Sequence, residues 1–173
     1  TCTVEVAQAI FQTGKLMSAV KVFGKSGVEL VTDSRNAASD PADYFDYIMF
    51  GWSNTSSGYR LAMERLLGRA PSEEELQEKF IPGVSFHFLY EELIQAPGYM
   101  FDGYHVAKVR DSLDLDTFLH LCVIPSKDKA CFEGLISCQL QDRVIYLDYE
   151  GEGLQAWNTK VNQVLHGKDK LKE

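Results

Sequence analysis

The sequence predicts an α+β fold in a single domain, with a modest sheet and with helices near both ends of the chain. The opening stretch TCTVEVAQAIFQTG has helical periodicity with a start and a stop signal. The stretch VSFHFLY instead alternates as a half-buried strand does. With 173 residues, 45% of them hydrophobic, the chain is long enough for one buried core and too short for two cores to be the default.

The first helix is predicted from an apolar stripe with a signal at each end. The stripe falls at helical spacing and consists of Val6, Ala7, Ile10 and Phe11. Thr3 can cap the start of this helix, and Gly14 suits the left-handed position that follows a last turn. The segment therefore predicts a helix between Thr3 and Gly14.

The segment DPADYFDYIMFGW favours a second helix. Asp40 is a suitable N-cap, Pro41 suits the first helical position, and Asp43 would lie in the positive first turn. The interior of the segment is rich in residues that favour strands, so a strand is the alternative. We predict a helix here.

Two further helices are predicted in the middle of the chain. An apolar stripe ends at Gly68 and consists of Tyr59, Ala62, Met63, Leu66 and Leu67. Ser72 and Glu75 then form the sequence pattern of a capping box, which predicts the start of a short helix. Both helices read as packing elements.

The second half of the chain predicts three strands and a final helix. VSFHFLY, TFLHLCVI and RVIYLDY are the strand candidates. The helix is predicted from the stripe Leu154, Trp157, Val161, Val164 and Leu165. We expect Gly167 to close it, which places the domain at residues 1–167 and a charged C-terminal tail at 168–173.

Composition excludes several classes of protein. The formal net charge of -8 gives no overall attraction to nucleic acid or to anionic lipid, although a local basic groove is compatible with it. No apolar run is long enough to span a membrane. Four cysteines without a metal-type or disulfide-type spacing predict free thiols in a reducing, cytoplasmic compartment: Cys2, Cys122, Cys131 and Cys138.

Common catalytic motifs are missing from the sequence. There is no GxxxxGK[ST], no GxGxxG after a strand and no HExxH. His120 and Cys122 are two residues apart on a predicted strand and could bind zinc with His87 or His105, but nothing specifies further ligands and we predict no metal. A catalytic cysteine nucleophile, formed by Cys131 or Cys138 with a histidine, is equally unspecific.

The stretch PGYMFDGYHVAKVRD concentrates polar chemistry around a glycine. Its hydrogen-bonding and charged residues are Asp102, Tyr104, His105, Lys108 and Arg110. A solvated turn is one interpretation, and the wall of a site for a polar ligand is the other. Two isolated residues are also candidates: Arg35 lies in a loop of small residues, where it could bind a pyrophosphate, and Glu133 is a lone carboxylate in an apolar run at the edge of a core.

The order of these features resembles the DarT-type ADP-ribosyltransferases. TGKLMSA is similar to the C-terminal turn of a helix in that family, and TCTVEVAQAI resembles the short threonine-containing segment that this helix follows. Arg35 matches an arginine in a long loop. An aromatic segment led by Asp-Tyr is matched by Asp43, Tyr44, Phe45, Tyr47 and Phe50. The lead-in to the family's catalytic glutamate resembles Lys129, Ala130, Cys131, Phe132 and Glu133.

This resemblance implies a fold, a substrate and a set of site residues. The fold would be an ADP-ribosyltransferase-like split antiparallel sheet flanked by helices. NAD would be the substrate, and a macromolecule such as DNA, RNA or a protein would accept the ADP-ribose, with an antitoxin-like partner neutralising the toxin. Glu133 would orient the ribose or the nucleophile, with a pKa raised by burial, and Arg35 would bind the pyrophosphate. The residues implied to contact NAD are Thr1, Thr3, Tyr44, Tyr47 and Phe50.

Three alternatives stay open at this point. Glu150 or Glu152 could be the acid in place of Glu133. In this family, a strand with a histidine would precede Thr1, and its absence from the sequence favours a noncatalytic module that binds a nucleotide or a partner. The negative net charge argues against DNA as the acceptor, because strong DNA binding usually needs a basic groove, but it argues less against the fold. An unrelated α+β binding or structural domain is the third alternative.

Overall fold

The computed structural model describes residues 1–32 and 41–169, and it confirms the α+β class. The helices are α1 Val4–Thr13, α2 Ala19–Phe23, α3 Gly27–Val31, α4 Ser57–Leu67, α5 Glu73–Gln77, α6 Tyr90–Leu93, α7 Leu115–Phe118 and α8 Leu154–Asp169. Short 3-10 helices cover Ala42–Asp46, Ser126–Phe132 and Gln141–Arg143. The strands are β1 Lys15–Met17, β2 Tyr47–Phe50, β3 Ser85–Phe88, β4 Tyr99–Met100, β5 Ala107–Arg110, β6 Ser112–Asp114, β7 Leu119–Pro125 and β8 Val144–Leu147.

The chain divides into two compact units that alternate along the sequence. Unit 1 consists of Thr1–Thr13, Trp52–His87 and Leu119–Glu173, and unit 2 consists of Gly14–Gly51 and Phe88–Phe118. Each unit has its own sheet and its own cluster of buried apolar side chains. A single domain over residues 1–167 stays a prediction.

Unit 1 is built around a sheet in the order β3, β7, β8. β7 and β8 are parallel, with Cys122 opposite Val144, and β7 is almost entirely buried. The continuous apolar run of β7 suits a strand that is covered on both faces. The core beside this sheet is centred on Trp157 of α8, which is fully buried and meets the rings of Tyr59 and Tyr149 edge-on.

Unit 2 contains the antiparallel sheet β2, β5, β4 and the antiparallel pair β1, β6. β2 and β5 pair so that Ile48 faces Val109 and Phe50 faces Ala107. These four side chains belong to the core cluster of the unit, with Leu93, Ala96 and Leu113. The alternate residues of the same two strands lie on the opposite face, because side chains alternate along a strand.

Several local predictions are confirmed. α1 begins after Thr3 and ends before Gly14, which has a φ of 68°. α4 ends at Gly68 in the left-handed conformation, and the Ser72–Glu75 capping box is present at the start of α5. The strands at 85–88 and 144–147 fall within the predicted segments, and the strand at 119–125 overlaps the predicted TFLHLCVI and extends one residue beyond it, to Pro125.

The prediction of a helix over DPADYFDYIMFGW is wrong for its second half. Only Ala42–Asp46 is helical, as a 3-10 helix that Pro41 precedes, and Tyr47–Phe50 is the strand β2. Pairing with β5 supplies the backbone hydrogen bonds of this strand, so tertiary contact overrides the start signals at Pro41 and Asp43. The predicted N-cap, Asp40, lies outside the described residues.

The C-terminal helix is longer than the sequence indicates. α8 continues through Gly167 to Asp169, so the backbone of residues 168 and 169 is helical and the predicted tail does not begin at 168. A glycine within a helix is tolerated at a cost of about 1 kcal/mol relative to alanine. Residues 170–173 lie outside the described part of the chain.

Candidate functional site

Five side chains of unit 2 form a charged and aromatic group, which we call the Asp102 cluster: Tyr44, Tyr47, Asp102, His105 and Lys108. Asp102 Oδ2 lies 2.8 Å from His105 Nδ1 and 3.1 Å from Lys108 Nζ. Lys108 Nζ lies 4.5 Å from the ring centroid of Tyr47 and 5.4 Å from that of Tyr44. The Tyr44 and His105 rings meet edge-on with centroids 5.1 Å apart. The cluster therefore joins the predicted aromatic segment to the predicted polar loop.

The loop that carries Asp102 is closed by its own carboxylate. Asp102 Oδ1 accepts hydrogen bonds from the backbone N–H groups of Tyr104 and His105, each at 2.9 Å. Gly103, which follows Asp102, has a φ of 76°, a backbone conformation that residues other than glycine rarely adopt. The sequence DGYH thus forms a turn that presents the imidazole of His105 to the second oxygen of the same carboxylate.

The charges of the cluster are compensated internally. Lys108 is 4% exposed, and its ammonium group has the Asp102 carboxylate and two aromatic faces around it. The hydrogen bond from His105, together with those from the backbone of His105 and Tyr104, holds the pKa of the Asp102 carboxyl well below its usual range. An ionised carboxylate can only accept, so Nδ1 of His105 carries a proton and the lone pair of the neutral ring lies on Nε2.

Strand pairing explains why Tyr47 and Lys108 come together. In the β2–β5 register Tyr47 is opposite Arg110 and Met49 is opposite Lys108, which puts these four side chains on the face away from the apolar core. Tyr47 and Lys108 are diagonal neighbours on that face, at a distance that long side chains can span. Tyr44, in the 3-10 helix Ala42–Asp46, also lies near this ammonium group, with its ring centroid 5.4 Å from Lys108 Nζ.

The loop that carries Asp102 also carries large exposed side chains. Met100 is 45% exposed, Phe101 is 70% exposed and Tyr104 is 85% exposed. The hydroxyl of Tyr47 donates to Met100 Sδ at 3.5 Å, and the Tyr104 ring meets His105 edge-on at 5.0 Å. The loop thus presents aromatic surface next to a histidine whose side chain is 20% exposed.

The aromatic residues implied to contact NAD do not all lie on one face in the structure. Tyr44 and Tyr47 belong to the Asp102 cluster. Phe50 instead lies on the core face of β2, where its ring meets Phe88 edge-on at 5.5 Å. Arg35, the predicted pyrophosphate ligand, lies outside the described residues.

Glu133 is exposed in unit 1, and the expectation that it lies at the edge of a core is wrong. The 3-10 helix Ser126–Phe132 buries Phe132, and the chain turns outward at the next residue. Near Glu133, Lys129 Nζ lies 5.1 Å from the ring centroid of Tyr146. Burial and the neighbouring Cys122 and Glu133 raise the pKa of Tyr146. The surface at Glu133 therefore combines a carboxylate, an ammonium group and a phenol.

Of the alternative acids, Glu152 is engaged in local structure. One of its carboxylate oxygens accepts from the backbone N–H of Glu150 at 2.7 Å, and the other lies 3.2 Å from Lys160 Nζ. Glu150 is exposed. The contacts of Glu152 indicate a role in holding the turn before α8.

Thr1 and Thr3 both belong to unit 1. Thr1 is exposed, and Thr3 accepts a hydrogen bond from the backbone N–H of Val6 at 3.5 Å. Thr3 also lines a cavity of about 90 Å³ with Lys127 and Asp128. Ligand pockets usually measure about 300 to 1,000 Å³. This cavity is therefore too small to hold a dinucleotide.

Unit 1 contains a buried hydrogen-bond network that the sequence did not reveal. The hydroxyl groups of Tyr59 and Ser85 lie 2.8 Å apart, and Ser85 Oγ lies 2.8 Å from His87 Nε2. Ser85 is 1% exposed, although alternation along its strand predicts that it faces solvent. Burial lowers the pKa of His87 to about 3, with smaller contributions from the chain's amino group and His120, and burial raises the pKa of Tyr59 to about 12. The network therefore consists of neutral groups, which suits a buried position.

The cysteines and histidines form no metal centre in the described ranges 1–32 and 41–169, where no group of three or more potential ligands lies close enough to hold an ion. All four cysteines are free thiols, as predicted. Cys2 and Cys122 are buried, and burial raises the pKa of the Cys2 thiol to about 11. Cys131 and Cys138 are exposed.

Neither family models, nor curated proteins, nor solved structures gave a match to this chain. Among the helices in the described parts of the chain, none is long and apolar enough to cross a membrane.

Proposed function

We propose that this chain is a nucleotide-binding protein whose ligand contacts the Asp102 cluster and the exposed loop around it. The observation that carries the proposal is that His105 and Lys108 both contact the Asp102 carboxylate, while the rings of Tyr44 and Tyr47 lie next to the Lys108 ammonium group. NAD is the ligand to test first, because the family resemblance assigns Tyr44 and Tyr47 to NAD.

The chemistry of the surface suits the parts of a nucleotide. Aromatic rings offer stacking surface to a base, and Tyr104 is the most exposed of these rings. The ammonium group of Lys108 is already compensated by Asp102, so a phosphate would be met by more exposed donors. Arg110 is exposed and lies on the same face of β5 as Lys108, and His105 is partly exposed.

Tyr104→Ala is expected to weaken NAD binding about 10-fold, equivalent to about 1.4 kcal/mol, because the variant removes a stacking surface. The fold should be unaffected, since 85% of Tyr104 is exposed. Isothermal titration calorimetry with NAD and with AMP measures the effect. Trp52→Ala removes an aromatic residue that is 58% exposed in unit 1 and serves as the matched control. Equal affinities for wild type and Tyr104→Ala would contradict the proposed surface.

ADP-ribosyl transfer from NAD to a macromolecule is the second candidate function. The observation that favours it is the exposure of Glu133 beside Lys129 and Tyr146, because an acid that orients a ribose or a nucleophile must be reachable. A solvated carboxylate is better suited to orienting and stabilising groups than to taking a proton. DNA and proteins are the acceptors to compare.

Glu133→Gln is expected to lower nicotinamide release from NAD about 100-fold or more, as loss of one group that stabilises the charge developing in a transition state usually does. Release is measured by chromatography, with and without single-stranded DNA. Glu64→Gln changes an exposed carboxylate on α4 and is the control. Glu150→Gln tests the remaining alternative acid. Nicotinamide release that is the same in Glu133→Gln and wild type would rule out this assignment.

A further inference from the structure

We propose that His105 is a general base that removes the proton of a ribose 2′-hydroxyl in a bound ribonucleotide phosphodiester. This inference rests on the proposed nucleotide binding at the Asp102 cluster and assigns a reaction to it. The three supports are the hydrogen bond between Asp102 and His105, the exposed aromatic side chains of the same loop and the exposed Arg110 of β5.

The first support is the orientation of the imidazole. Asp102 Oδ2 lies 2.8 Å from His105 Nδ1, and the other oxygen of the same carboxylate is held by two backbone N–H groups. The carboxylate can therefore neither rotate away nor accept a different tautomer of His105 without loss of hydrogen bonds. This leaves Nε2 as the acceptor, in the arrangement by which a carboxylate orients a histidine base.

The second support concerns the substrate. Phe101 and Tyr104 are highly exposed on either side of Asp102 in the sequence, and exposed aromatic rings stack on unpaired bases. The pair of rings suits two consecutive bases better than one. The third support is Arg110, which is exposed on the face of β5 that carries Lys108, and we assign its guanidinium to the phosphate between those bases.

A single base is sufficient for a reaction in which the substrate carries its own nucleophile. A ribose 2′-hydroxyl is adjacent to the phosphorus of its own 3′-phosphodiester, so the substrate supplies nucleophile and electrophile in one molecule. His105 Nε2 takes the proton of the 2′-hydroxyl, the 2′-oxygen forms a bond to phosphorus, and the bond from phosphorus to the 5′-oxygen breaks. The departing 5′-oxygen takes a proton from water, and His105 returns its proton to solvent. The products are a 2′,3′-cyclic phosphate and a 5′-hydroxyl.

The test uses the dinucleoside monophosphate UpA as substrate and its 2′-deoxy counterpart as an uncleavable ligand. Wild type is expected to convert UpA to uridine 2′,3′-cyclic phosphate and adenosine, identified by mass spectrometry. His105→Ala and His105→Gln should both lower the rate about 100-fold or more, because general-base catalysis usually contributes that much. His166→Ala changes an exposed histidine on α8 and should leave the rate unchanged.

Binding of the deoxy ligand separates the two proposals. If the wild type binds it and UpA stays intact, the general base is overturned and nucleotide binding stands. If the wild type neither binds the deoxy ligand nor cleaves UpA, the general base is overturned, and nucleotide binding is overturned as well only if calorimetry with NAD and with AMP also shows no binding. Cleavage at equal rates by wild type and both His105 variants would also overturn the assignment. Circular dichroism of each variant shows whether a lost rate reflects chemistry or a lost fold.

Discussion

Trp157→Ala is expected to lower the free energy of unfolding by about 3 to 5 kcal/mol, the range typical of a large aromatic side chain removed from a core. Trp157 is fully buried in the core of unit 1. Its ring meets Tyr59 and Tyr149 edge-on, so the substitution removes two ring contacts and leaves a cavity that rigid neighbours fill only in part.

Urea unfolding followed by circular dichroism measures the loss. Trp157→Phe should lower the free energy of unfolding by less than Trp157→Ala, because the smaller ring still fills part of the space. Trp52→Ala changes a tryptophan that is 58% exposed, and it should alter the stability by less than about 0.5 kcal/mol. A Trp157→Ala variant as stable as Trp52→Ala would mean that the packing of unit 1 described above is wrong.

Acidification is expected to destabilise the protein through His87. Its pKa is about 3 in the folded chain against an ordinary value of 6.5, because packing removes most water from around the half-buried ring. A lowered histidine pKa means that the unfolded chain binds the proton first, so the stabilising effect is complete above pH 6.5 and is lost as the pH falls toward 3. The expected loss over this window is roughly 3 to 5 kcal/mol.

Urea unfolding between pH 7 and pH 3.5 measures this dependence. His87→Gln removes the titrating group while keeping a side chain that can hydrogen-bond with Ser85, so its stability should depend less on pH over the same window. His166→Gln changes an exposed histidine and should keep the slope of the wild type. If His87→Gln and wild type lose stability in parallel, other groups cause the acid sensitivity.

The sequence predicts best those helices whose start, stop and apolar face are all encoded within the helix itself. α1, α4 and α5 are marked by stripes, caps and glycines within the element itself. β2 could not be recognised in the same way, because its backbone is satisfied by β5, which lies far along the chain. The burial of Ser85 is not predictable from the sequence for a related reason. Its hydrogen-bond partner Tyr59 comes from α4, and a serine whose hydroxyl is hydrogen-bonded can be buried.

The candidate site was predictable in its pieces but not in its assembly. Composition alone singled out the loop with Asp102 and His105, and family resemblance singled out Tyr44 and Tyr47. Their meeting at Lys108 depends on the register between β2 and β5, which a single sequence does not contain. The exposure of Glu133 was missed because Phe132, its neighbour, takes the buried position.

The alternation of the two units along the chain has a consequence for biosynthesis. All of unit 2 has been translated once residue 118 has left the ribosome, whereas the core of unit 1 needs Trp157 from α8. Translation proceeds at about 5 to 20 residues per second, so the apolar side chains of α4 and β7 stay unpacked for several seconds before Trp157 is synthesised. During that interval they are the part of the nascent chain that a chaperone would recognise, so synthesis without chaperones should produce aggregates that contain an unfinished unit 1.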